Sequence, residues 1–171
     1  MLGVVMKRFT DSIRNALSNK DWYGALSTAL TLPDVCGKLV SPESSSKARY
    51  IDWFNENMID LYTRERDGHV FLHGEDCYAL RCSYLHEGGS NIEEQRAQKA
   101  LSDFHFITPL PGCLIHRNQV NSKLQLQVDV FCNEIADAVD KWYELVKDDE
   151  KVLTRMQSTL VIHDSSQGIC F

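Results

Sequence analysis

The sequence predicts a mainly α fold, a bundle of four to five helices with a small antiparallel β insertion at about residues 103–128, in one domain spanning 1–171. Three observations predict it. Between residues 129 and 148, Phe131, Ile135, Ala138, Trp142 and Leu145 recur at steps of three and four, an apolar stripe that must pack on other helices. Near the N-terminus Val5, Phe9, Ile13 and Ala16 repeat that spacing. At Leu124-Gln125-Leu126-Gln127-Val128 the period drops to two, which marks a strand. A length of 171 residues with 43% hydrophobic content is enough for one real core. No apolar run reaches the roughly 18 residues that a membrane helix needs, so no membrane partner is expected.

In chain order, residues 4–18 form the first amphipathic helix, and Asp21 can cap a second that carries Trp22, Leu26, Ala29 and Leu30. Pro33 disfavours helical geometry at the residue before it, so a break is expected there. Asp34 then caps a short continuation through Val35, Cys36 and Leu39. Ser41 to Ser46 is a polar loop that ends in a helix over 46–62. The aromatic face of that helix, Tyr50, Trp53 and Phe54, reads as core rather than as a base-stacking platform.

Thr63 to Gly68 is a charged turn, and Val70-Phe71-Leu72 is an apolar connector into a helix that opens with Gly74-Glu75-Asp76. The polar stretch 93–100 has helical composition but little apolar face. Phe104 to Ile107 and Cys113 to His116 read as strands around Pro109 to Gly112, with 124–128 as a third and a turn at Asn118 and Asn121 between. After the long helix of 129–148, residues 159–163 have the composition of an edge strand, and the tail of about 164–171 is expected to be mobile.

Composition narrows function. A net charge of −6 argues against a broad nucleic-acid-binding face but leaves room for a small local site. The N-terminal charges follow a very short apolar stretch, the wrong order for a secretory signal, so a cytoplasmic chain is expected. The six cysteines show no CxxC spacing and read as reduced thiols. Cys170 is penultimate, which does not fit a prenylation box. His69 and His73 are four apart, but Gly68 and Gly74 bracket an extended-looking Val70-Phe71-Leu72, and no ordered zinc pattern appears. There is no Walker loop, dinucleotide fingerprint or nucleophile elbow, so no metal and no cofactor are expected.

The stretch with chemical content is Tyr78-Ala79-Leu80-Arg81-Cys82-Ser83-Tyr84-Leu85-His86-Glu87-Gly88-Gly89. It reads as the end of a helix stopped by two glycines, with His86 in the last turn beside unpaired carbonyls. Five positions at about 100° each leave Arg81 and His86 about 140° apart around the axis. A single rigid helix would hold them apart, unless its end unwinds or a second copy completes the site. An ion pair on one helix would more naturally use a spacing of three or four.

This Arg-x4-His spacing, late in a helix and followed by glycine, resembles the signature of the HEPN superfamily over about residues 74–89. The resemblance implies a small helical bundle that works as a homodimer. It implies a metal-independent endoribonuclease of the toxin or phage-defence kind, with RNA as substrate, an antitoxin protein as a further partner, and Arg81 and His86 as catalytic residues. Active members commonly carry Asn, Asp or His directly after the arginine, where this chain has Cys82. The resemblance therefore also admits a catalytically inactive interaction or nucleotide-sensing module.

The residue types suit the implied reaction. A histidine ionises near neutrality and can take a proton from a ribose 2′-hydroxyl, and an arginine stays charged and clamps phosphate oxygens. Ser83, Glu87 and Asn91 are candidates to line the same mouth, and Tyr78 is a candidate to stack a base, although core packing is the favoured reading for Tyr78 and Tyr84. The competing structural reading pairs Arg81 with Asp76, Glu75 or a carboxylate on another helix, while His86 caps carbonyls.

Overall fold

Helix α1 (Gly3–Ser18) ends at Asn19-Lys20, and Asp21 caps α2 (Trp22–Val40) by accepting from the Gly24 amide. These are elements of a computed structural model that describes residues 3–168. The expected break at Pro33 does not occur, and α2 runs through it to Val40. The reason is tertiary. Helix α2 touches every other helix and buries Leu26, Ala29, Leu30, Leu32, Cys36 and Leu39 over a wide face. Fully burying one such side chain yields roughly 1.5–3 kcal/mol, so several offset the roughly 3 kcal/mol that an internal proline costs.

Ser45 caps α3 (Ser46–Met58), which continues as a tight 3-10 turn over Ile59–Tyr62. Tyr50, Trp53, Phe54 and Tyr62 are all buried, so the aromatic face is core as read. Trp53 meets Trp142 edge-on at 6.4 Å. A short antiparallel pair, β1 (Thr63–Arg64) and β2 (His69–Val70), leads into α4 (Gly74–Glu87). The polar stretch 93–100 forms turns rather than a helix. It is pinned from outside: the buried Asp76 carboxylate of α4 accepts the backbone N–H groups of Lys99, Ala100 and Leu101.

The β insertion departs from expectation. It is a mixed sheet of order β3-β5-β4, not an antiparallel one. Strand β3 (Asp103–Ile107) pairs in parallel with β5 (Lys123–Gln127), and β4 (Asn118–Val120) pairs antiparallel with β5. Cys113 to His116 is not a strand, and the segment expected as a turn supplies β4 instead. Cys113 and Leu114 are exposed and have no face to bury. Asn121, at φ 54°, makes the tight β4–β5 turn in the left-handed conformation that asparagine tolerates. Residues 108–122 then give β3 and β5 the long connection that a parallel pair requires.

Strand β5 passes directly into α5 (Val128–Val146), and Phe106 packs edge-on against Phe131 at 5.5 Å, which seats the sheet on the bundle. Helix α5 buries Phe131, Ile135, Ala138 and Trp142, as the stripe predicted, but Leu145 is exposed. Asp149 caps a sixth helix, α6 (Glu150–Met156), so six helices stand where four to five were expected. Residues 159–163 form no strand, and a 3-10 turn follows at Ser165–Gln167. Part of the tail expected to be mobile, 169–171, lies outside the described residues, as does Cys170. Among the described residues no helix is long and apolar enough to cross a membrane.

Candidate functional site

Helix α4 docks on α3 and α2 through Cys77, Ala79, Leu80 and Ser83. Its entry is held by Asn55, which accepts the Gly74 amide. Its exit is held by Gly88, at φ 72°, whose N–H returns to the carbonyls of Ser83 and Tyr84, while the Gly89 N–H also reaches Ser83. The glycine amides thus serve the terminal carbonyls that His86 would otherwise cap. Its imidazole, on an exposed residue, meets Arg81 instead.

Arg81 Nη1 lies 3.4 Å from His86 Nε2. The two side chains meet within one chain although α4 stays helical through Glu87, because a long guanidinium arm spans the rotation that separates the two backbone positions. The other face of the guanidinium turns toward α2, where Nη2 is 3.8 Å from Asp34 Oδ2. Asp34 is itself fixed from α3 by Arg49 Nε at 2.6 Å and by the Ser46 hydroxyl at 2.9 Å. One carboxylate on α2 therefore holds an arginine from each of two helices. Arg81 Nε is buried with no hydrogen-bond partner among the described residues, so packing as well as charge orients the group.

Cys82 Sγ sits 4.0 Å from Arg81 Nη1, at the outer limit of a sulfur contact. Tyr78 packs edge-on against the buried Tyr50 at 5.4 Å. Burial raises the Tyr78 phenol above its ordinary pKa, and the neighbouring Cys82 thiol adds to the effect.

The remaining candidates do not share this mouth. Ser83 is buried, and its hydroxyl donates to the Asn91 carbonyl at 2.8 Å, which ties the α4 exit to the following loop. Glu87 and Asn91 line a separate shallow depression of about 290 Å³ with Glu93, Glu94 and Gln95. Asn91 Oδ1 accepts from the Glu93 amide there.

The residue that sequence reading missed is Asp34. Next to Pro33 it reads as a helix cap, and nothing in its spacing to Arg81, 47 positions on, suggests contact. The arrangement supplies an exposed imidazole touching a guanidinium whose far edge is braced by a carboxylate. Such a group can donate to phosphate oxygens while the neighbouring imidazole accepts or donates a proton. Compared with known protein families, with curated proteins and with solved structures, the chain matches none.

Proposed function

We propose that this chain is a HEPN-like, metal-independent endoribonuclease of the toxin or phage-defence type, working in the cytoplasm as a homodimer. The single observation behind this reading is the Arg81–His86 contact of 3.4 Å at the exposed end of α4. In the proposed reaction one imidazole takes the proton of a ribose 2′-hydroxyl. The resulting O2′ attacks the adjacent phosphorus, the bond from phosphorus to O5′ breaks, and a 2′,3′-cyclic phosphate forms. The leaving O5′ takes a proton from the imidazolium of the second copy. Arg81 donates to the non-bridging oxygens as their charge grows, and Asp34 keeps it aimed. An antitoxin protein covering the pair would silence it.

The test is cleavage of single-stranded RNA with divalent metal chelated, comparing native protein with His86→Ala. Intact RNA at high concentrations of native protein ends the enzyme reading, and equal cleavage by the variant moves the site elsewhere.

A second reading, a catalytically silent interaction or nucleotide-sensing module, is favoured by one observation. Arg81 already has partners on both sides, Asp34 and His86, as a residue kept for the fold would. In that case Arg81→Ala lowers the melting temperature with no activity to lose.

A further inference from the structure

We propose that Tyr23 stacks a base of the single-stranded RNA cut at Arg81 and His86, and so places the strand for cleavage. This inference rests on the ribonuclease reading and adds the residue that holds the substrate. Tyr23 is 76% exposed, and it is the one aromatic side chain among the described residues that stands mostly in solvent. Tyr78, nearer to Arg81 in sequence, packs instead on the buried Tyr50.

The backbone of Tyr23 is fixed although its ring projects. It is the second residue of α2, whose start is held by the Asp21 cap on the Gly24 amide. Its carbonyl accepts from the Ser27 hydroxyl at 2.8 Å and from the Tyr84 hydroxyl of α4 at 3.5 Å. The Tyr84 hydroxyl also lies 3.3 Å from Ser27 Oγ. The helix that carries Arg81 and His86 is thus tied to the turn that carries Tyr23.

Contacts along the seam between α2 and α4 set the spacing. Arg81 reaches Asp34, and Tyr84 reaches Ser27 and Tyr23, so the two helices run antiparallel where they touch. Tyr23 precedes Asp34 by eleven residues, about 16 Å along the α2 axis. His86, further along α4, stands on the Tyr23 side of Arg81. A strand whose phosphate sits at the pair therefore presents to Tyr23 a base only a few nucleotides away.

The surroundings of the ring suit a base and not a phosphate. With Tyr23, the side chains of Trp22, Leu26, Phe106, Ile107 and Val128 line an apolar hollow of about 120 Å³, and none of the residues lining it is charged. That is below the roughly 300–1,000 Å³ of a pocket that encloses a whole small ligand, so it takes the edge of one ring. Thr108, exposed at the same hollow, brings a hydroxyl that can donate to or accept from a base edge. Asp21, two residues before Tyr23, is an exposed acid that repels phosphate. At a net charge of −6 the chain gains little from phosphate attraction, and stacking on an aromatic ring is the sequence-tolerant way to hold a single strand.

The test reads binding and cutting separately. Binding of a fluorescein-labelled single-stranded RNA is followed by anisotropy in His86→Ala protein, which leaves the RNA uncut, with and without Tyr23→Ala. Cleavage under chelation is compared among native protein, Tyr23→Ala and Tyr23→Phe. Alanine keeps the carbonyl that Ser27 and Tyr84 hold, so the melting temperature stays at the native value. The expected result for Tyr23→Ala is about tenfold weaker binding and about tenfold higher KM with little change in kcat, and native behaviour for Tyr23→Phe. An abasic residue scanned through the RNA should, at one position, weaken binding about tenfold when Tyr23 is present and not at all in Tyr23→Ala. Binding and KM that Tyr23→Ala leaves unchanged overturn the role of Tyr23, and cleavage by native protein then leaves the ribonuclease reading standing. RNA that is bound but never cut, with binding weakened by Tyr23→Ala, removes the ribonuclease reading and keeps Tyr23 as a stacking residue. Native protein that neither binds nor cuts RNA overturns both.

Discussion

The Tyr62 hydroxyl donates to Glu134 Oε2 across 2.6 Å, joining the turn after α3 to the middle of α5. The same carboxylate is reached by His116 Nε2 at 3.1 Å and Arg117 Nη2 at 3.5 Å from the β insertion. The Gln127 amide donates to His116 Nδ1, which leaves Nε2 to carry the hydrogen toward Glu134. Arg117 also donates to the Leu61 carbonyl, so three parts of the chain converge on one acid.

Burial pushes the Glu134 carboxyl upward, but the hydrogen bonds from His116 and Tyr62 outweigh it, and the net pKa lies below the ordinary 4.5. A folded pKa below the unfolded one gives stability that is present above pH 4.5 and is lost as pH falls through the lower folded value. Acid titration followed by circular dichroism should show native protein losing stability below pH 4.5, and Glu134→Gln should lack that component. At neutral pH Glu134→Ala should cost about 3 kcal/mol, because it strands the buried Tyr62 and His116 donors. A neutral outcome in urea unfolding would show that the network does not hold the insertion to the bundle.

For the Arg81–His86 pair, His86→Ala should lower RNA cleavage by about 100-fold or more while leaving the melting temperature unchanged, since His86 is exposed. Arg81→Lys keeps the charge but loses the fork that spans Asp34 and His86. Cleavage should fall with little loss of stability. A large stability loss at unchanged cleavage would instead make Arg81 a structural residue.

Asp76 is fully buried and is the acceptor for the turn at Lys99, Ala100 and Leu101. Asp76→Ala should destabilise by about 2–4 kcal/mol and expose the 92–101 loop to protease first. Limited proteolysis read by mass spectrometry checks both the order of cutting and the site.

At Gly37, α2 lies against α3 with no room for a side chain. A Cβ there would lie 2.5 Å from the Arg49 carbonyl oxygen, a backbone atom that cannot step aside alone. Gly37→Ala should cost about 1–3 kcal/mol. It should also loosen Arg49 from Asp34, and thermal unfolding reports the change.

The thiols should separate by reactivity. Burial pushes Cys77 and Cys132 up to about 12 and Cys36 well above its ordinary value, whereas Cys113 is exposed. Iodoacetamide at neutral pH should label Cys113 in the native protein and reach the other three only after denaturation. Native labelling of Cys77 would mean that α4 opens readily.

What the sequence by itself determined was whatever depends on neighbours a few residues away. The stripes of α1 and α5, the cap at Asp21, the polar loop before α3 and the stop at Gly88 each follow from a local period, a local composition or a single side chain reaching its own helix end. The Arg81–His86 pair was legible as a spacing, but the angular separation at that spacing argued against a contact that long side chains nevertheless make. Only the tertiary structure decided the rest. Helix α2 persists through Pro33 because the core surrounds it, and the turns of 93–100 are anchored where Asp76 takes the amides of Lys99 and Ala100. Strand β3 joins β5 in parallel because a long connection allows it. Asp34 became the brace of the site because α2, α3 and α4 meet there. Long-range contacts set the free energy at these positions, and no short window of sequence contains both partners.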